Sequence, residues 1–141
     1  MCLSCIDPRV EKQFKVDGDG NLIAWKVMRG KEGGRYVPNI YGWVYRGKKG
    51  FKVGGNFKRS DRKRTFASYR RLSGKTGKKG MIQYTSGFHA YSNRADARAV
   101  KDCRSHLHVV KVLMKGPFTF GEQNCRSIAV GDRMKVVGVD R

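Results

Sequence analysis

Acidic residues are scarce in this chain. Only 11 Asp and Glu stand against 31 Lys and Arg in 141 residues, a formal charge of +20 at pH 7 and a pI near 10.3. So few carboxylates leave no convincing pair for general acid–base work, and no serine–histidine–acid spacing is present. The Pro count of 3 argues against a disordered polypeptide. No apolar run approaches the roughly 20 residues of a membrane span, and no basic helix carries a broad apolar face, so no membrane partner is expected. The opening residues MCLSCIDPRVEK lack the apolar stretch of a secretory signal, and a cytoplasmic setting is expected. The four cysteines are then expected as reduced thiols. No internal repeat stands out.

Two cofactor motifs fail on inspection, and no cofactor is expected. The turn formers Asp17, Gly18, Asp19, Gly20 and Asn21 suggest a calcium loop. That loop would need Gly where Leu22 stands and Glu where Met28 stands. Ser73, Gly74, Lys75 and Thr76 match the tail of a nucleotide-phosphate loop, but Tyr69 holds the place of its first Gly. Cys2 and Cys5 have zinc-ligand spacing, and Cys103, His106 and His108 supply a second group. The competing reading keeps Cys103 in a helix core and leaves Cys2 and Cys5 on a frayed terminus. His89, between Phe88 and Tyr91, reads as a hydrogen-bonded core residue.

The patterning predicts an α+β domain spanning residues 1–141, a mainly antiparallel sheet with one or two short helices packed on it. Residues 14–16 and 22–28 flank the turn formers, predicting a hairpin. Tyr41, Trp43 and Tyr45 alternate after Pro38, which predicts an edge strand. Residues 81–85 and 88–91 read as extended. Asn93 and Asp96 cap a predicted helix through Cys103 that turns Ala97, Val100 and Cys103 to the core. Residues 107–114 form an apolar run broken by His108 and Lys111, predicting a central strand. Strands at 128–130 and 134–139, joined at Gly131 and Asp132, complete the domain.

One segment differs in character. Between Arg46 and Gly80 lie fourteen Lys and Arg against the single acid Asp61, with glycines at both ends. Ser60 is placed to cap a helix there, with Phe66, Tyr69 and Leu72 as its apolar seam. Charge of this density destabilises the free protein by self-repulsion, and a polyanion relieves it. The candidate phosphate contacts are Lys48, Lys49, Lys58, Arg59, Arg62, Lys63, Arg64, Arg70, Arg71, Lys75, Lys78 and Lys79. Phe51, Phe57, Phe66 and Tyr69 are available for base stacking.

Residues Gly87 to Tyr91 (GFHAY), Ala95 to Ala97, Val109 to Leu113 and Gly116 form a pattern continued by Gly121, Arg126, Ser127 and a last valine-rich strand. Over roughly the last 55 residues it resembles small proteins of unknown function carried by phages and prophages. The resemblance implies an accessory protein of a phage or prophage, acting in the cytoplasm of the bacterial host and directed against host defence. The segment 46–80 lies outside the pattern. A fainter resemblance, to ADP-ribosyltransferase-like domains, rests on Arg29 beside Gly30, Ser86 in a central strand and Glu122. Under it those three residues would be catalytic, although Asn124 stands where arginine-directed members carry a second acid. The expected function is non-enzymatic nucleic-acid binding. The alternatives are capture of a nucleotide signal or an acidic host protein, and the transferase.

Overall fold

The computed structural model describes residues 3–38, 50–60, 63–69 and 81–140. Tyr41, Trp43 and Tyr45, the 73–76 loop, Cys2 and eight of the basic candidates (Lys48, Lys49, Arg62, Arg70, Arg71, Lys75, Lys78, Lys79) lie outside them.

Strand β1 (Cys5–Ile6) is followed by a 3-10 helix, Pro8–Gln13, whose first turn is capped by the Asp7 carboxylate accepting from the Arg9 N–H. Then comes the expected hairpin of β2 (Lys15–Val16) and β3 (Leu22–Lys31). Its turn is held by the Asp17 carboxylate, which accepts from the backbone N–H of Asp19 and of Asn21. Four short strands follow: β4 (Arg35–Pro38), β5 (Phe51–Lys52), β6 (Lys58–Arg59) and β7 (Arg64–Tyr69). Next are β8 (Met81–Thr85), β9 (Phe88–Tyr91) and helix α1 (Arg94–Lys101), and then β10 (Leu107–Lys115), β11 (Thr119–Gln123), β12 (Arg126–Gly131) and β13 (Arg133–Val139).

The sheet order is β6-β13-β10-β3-β9-β12-β11-β1-β7-β8, with β2 and β4 alongside β3 and β5 on β4. Pairing is antiparallel except between β1 and β7. This is the expected α+β architecture, with β10 central between β3 and β13.

The sheet cannot be flat. β12 and β13 are four places apart in the order, about 19 Å at normal strand spacing. Yet only Asp132 separates the end of β12 from the start of β13, a reach of about 7 Å. The run β13-β10-β3-β9-β12 therefore curls until its ends meet, where the Asp132 N–H bonds the Lys115 carbonyl at 3.1 Å.

Curling encloses one face. Met28, Val110, Val112, Met114, Met134 and Val136 fill it, closed off by Val10, Phe14 and Phe51. Each such side chain contributes about 1.5–3 kcal/mol by leaving water. The opposite, outer face is covered only in part. Ala97 of α1 and Ala67 and Tyr84 of β7 and β8 pack there over Val27, Leu107, Val109 and Val130.

Two expectations fail. The segment after Ser60 is strand β7 rather than a helix, paired from Arg64 with Thr85 to Ser68 with Met81. Phe66 stands 60 % exposed while Ala67 is buried, a period of two that the three-residue aromatic spacing disguised. The β-branched and aromatic residues of this stretch suit a strand once β8 supplies a partner. Helix α1 has the expected Asn93 cap, its side chain accepting from the Asp96 N–H at 2.8 Å, but it stops at Lys101. Asp102 turns the chain with φ 54°, and Cys103 is exposed rather than in the core.

At Gly121 of β11 the β1 backbone leaves no room for a side chain: a Cβ there would lie 2.1 Å from the Cys5 carbonyl oxygen. A Cβ at Gly138, also in a strand, would meet nothing within 4 Å. Gly121→Ala is expected to destabilise the fold by about 1–3 kcal/mol, and Gly138→Ala to change it by less than about 1 kcal/mol. Urea unfolding of the two variants checks this, and equal midpoints would contradict the close approach.

Candidate functional site

The open part of the outer face lies on β3, β10, β13 and β6. Residues directly opposite on neighbouring strands share a face. Met114 and Met134 point into the enclosed core, so Lys115 and its partner Arg133 point out, and Arg59, opposite Arg133, points out with them. Three cations thus stand in register on three adjacent strands. One row along, Lys15, Ile23, Leu113 and Lys135 share the same face, and a row further Trp25 and Lys111 do. The Nζ of Lys115 and of Lys135 lie 4.4 and 4.9 Å from the centre of the Phe57 ring, and the Arg94 guanidinium is 5.6 Å from the centre of Trp25.

Acids are few here. Asp132 lies 3.9 Å from Arg133. The Asp17 carboxyl is held below its usual range mainly by the Asn21 backbone, with a smaller pull from Lys135. Among the described residues no carboxylate comes within ion-pair distance of Lys111, Lys115, Lys135 or Arg59.

Of the residues singled out from the sequence, Phe57 and Arg59 belong to this face. Lys58 points the other way, with its ammonium bonded to the Gly50 carbonyl and 5.4 Å from the centre of Phe51, a ring buried in the core. Lys63 and Arg64 are exposed at the start of β7, where the Lys63 N–H donates to the Ser86 hydroxyl. Phe66 and the backbone of Tyr69 also belong to β7, away from the row. Lys111, Lys115, Arg133 and Lys135 carry the face but were not singled out. Their signal was alternation: each lies one residue from a core position, as in Arg133-Met134-Lys135.

The transferase set is not assembled. Arg29 shares the outer face with Leu107 on β3, whereas Glu122 on β11 shares the inner face with Ser127, and two strands separate them. Ser86 sits in the β8–β9 connection. Cys5 on β1 and exposed Cys103 and His106 form no common site, and among the described residues no three metal-ligating side chains converge. A shallow groove of about 640 Å³ runs past Tyr36, Lys101, Ser105, His108 and Asp140. Its acid is already engaged: Arg98 donates to Asp140 through Nε at 2.5 Å and through a second nitrogen at 2.9 Å.

Among the described residues, two buried groups, Lys26 and His89, can carry a positive charge. Lys26 is 2 % exposed on the enclosed face, and its ammonium donates to the backbone carbonyl of His89. Burial pushes its pKa down to about 7. His89, equally buried, donates through Nδ1 to the Gly87 carbonyl at 2.9 Å if that nitrogen carries the proton, and its Nε2 has no partner. Burial, then the Lys26 charge, lower its pKa to about 3.

Both groups bind a proton less readily folded than unfolded. The Lys26 contribution to stability is complete above the unfolded value and lost as pH falls from 10.5 to about 7; that of His89 is lost between 6.5 and about 3. Between about pH 7.5 and 9.5 stability is expected to rise by up to about 1.4 kcal/mol per pH unit from Lys26 alone. Lys26→Met, which keeps the volume without the charge, should lose that rise. Urea denaturation across the interval checks it, and equal slopes for the two proteins would contradict it.

No family model, curated protein or solved structure matches the chain, so its chemistry has to be read from its own residues.

Proposed function

We propose that this protein binds nucleic acid without catalysing a reaction, holding phosphates on the outer face of β6, β13 and β10. The observation that carries the reading is the register of Lys115, Arg133 and Arg59. Like charges directly opposite on a sheet destabilise it. Two unit charges about 5 Å apart repel by somewhat under 1 kcal/mol in water and by several-fold more where the dielectric falls. A phosphate between two such cations converts that repulsion into charge-assisted hydrogen bonds and releases condensed counterions. The excess of +20 in the chain as a whole acts in the same direction, drawing in a polyanion from a distance. An accessory role in a phage or prophage fits the resemblance of the last 55 or so residues.

A salt titration tests the reading. Four phosphates held by Arg59, Lys115, Arg133 and Lys135 give a log–log slope of about −3.6 on duplex and about −2.8 on single strand, so affinity for a labelled oligonucleotide falls roughly fifty- to a hundred-and-fiftyfold between about 50 and 200 mM salt. Replacing Lys115 and Arg133 by Gln should reduce the slope by about 1.8 on duplex or about 1.4 on single strand. Binding that ignores salt, or tight capture of a mononucleotide with no affinity for longer chains, would refute the proposal.

A further inference from the structure

The centre of the same face differs from its edges. In the row Lys15, Ile23, Leu113, Lys135, the two ends are lysines and the middle is apolar and half-buried. The half-buried Phe57 lies to one side of that centre and Trp25 to the other. Beside Lys111, Gly138 has no side chain, and the space above it is open.

We infer that this face seats a single strand of nucleic acid, its bases laid on the apolar centre and its phosphates on the cationic margin. The inference rests on the nucleic-acid reading above and names the form that is bound. The chemistry separates single strand from duplex. A duplex presents phosphates outward with its base faces stacked away, so it would satisfy the cations but press its charged backbone against Ile23 and Leu113. An unpaired base has an apolar face to offer, and aromatic side chains on open sheets take such bases by stacking. Spacing agrees. Successive rows on one face of a strand are about 6.8 Å apart, twice the roughly 3.4 Å rise per strand of a stacked duplex. Bases seated on successive rows must part from one another, and a single strand can do this.

Fluorescence anisotropy with a labelled twelve-nucleotide single strand and the same sequence as a duplex tests this, using the full chain at fixed salt. The single strand is expected to bind at least about tenfold more tightly. Phe57→Ala should weaken single-strand binding by about five- to a hundredfold, as loss of one stacking platform does. It should cost duplex binding several-fold less than single-strand binding, and Phe57→Tyr, which keeps the ring, should restore affinity for the single strand. Duplex binding as tight as single-strand binding, or an equal loss for both forms in Phe57→Ala, would overturn the single-strand inference while leaving nucleic-acid binding intact. Absence of salt-dependent binding to either form would overturn both.

Discussion

Closure of the curled sheet at Asp132 is the constraint from which the other features follow. Once the ends of β13 and β12 are held one residue apart, one face of five strands is cut off from water and must be apolar. Strand geometry then leaves no freedom: each residue next to a core position points outward. In β10 and β13 four of those outward positions, Lys111, Lys115, Arg133 and Lys135, hold cations. The basic face is thus the counterpart of the core, built by the same alternation that buries Val112, Met114, Met134 and Val136.

Sorting alone does not require the outward residues to be cations in register. Neutral or alternating charges would satisfy solubility as well, and would spare the cross-strand repulsion. Each like-charge contact costs a fraction of a kcal/mol to a few kcal/mol, which matters against a typical stability of about 5–15 kcal/mol. The enclosed core offsets that cost. With Met28, Val110, Val112, Met114, Met134 and Val136 fully buried in it, the fold can carry a face of like charges in register.

The parts legible in the sequence were those where one local pattern had one meaning. Asp17 to Asn21 marked a tight turn, Asn93 marked a helix start, and the apolar density of residues 107–114 marked a buried strand. The stretch around Phe66 was ambiguous: aromatics three apart read as a helical seam, and only pairing with β8, a partner distant in sequence, resolves it as strand. The candidate site was legible only in part. Charge density along the chain pointed to residues 46–80, whose described part contributes Phe57 and Arg59 to the face. Lys111, Lys115, Arg133 and Lys135 are diluted among apolar neighbours, and register alone brings them beside Arg59.

Lys26 is the exception to the sorting, and its position shows why an exception is possible. It occupies an inward place on β3 between Ala24 and Met28, where alternation calls for an apolar side chain. Strands β3 and β9 pair only at Trp25 and Tyr91 before β3 goes on to pair with β4. Across that parting the Lys26 ammonium supplies a donor to the His89 carbonyl. Small neighbours on the same face, Ala24, Ala90 and Ala129, leave room for the four-carbon stem. A methionine would fill the volume but leave the carbonyl without that donor, a loss of about 1–3 kcal/mol. The lysine escapes most of the cost of a buried charge by giving up its proton near neutrality. The same residue type therefore does different work on the two sides of one sheet: inside, Lys26 mends a gap in the ladder; outside, Lys111, Lys115 and Lys135 form the basic face.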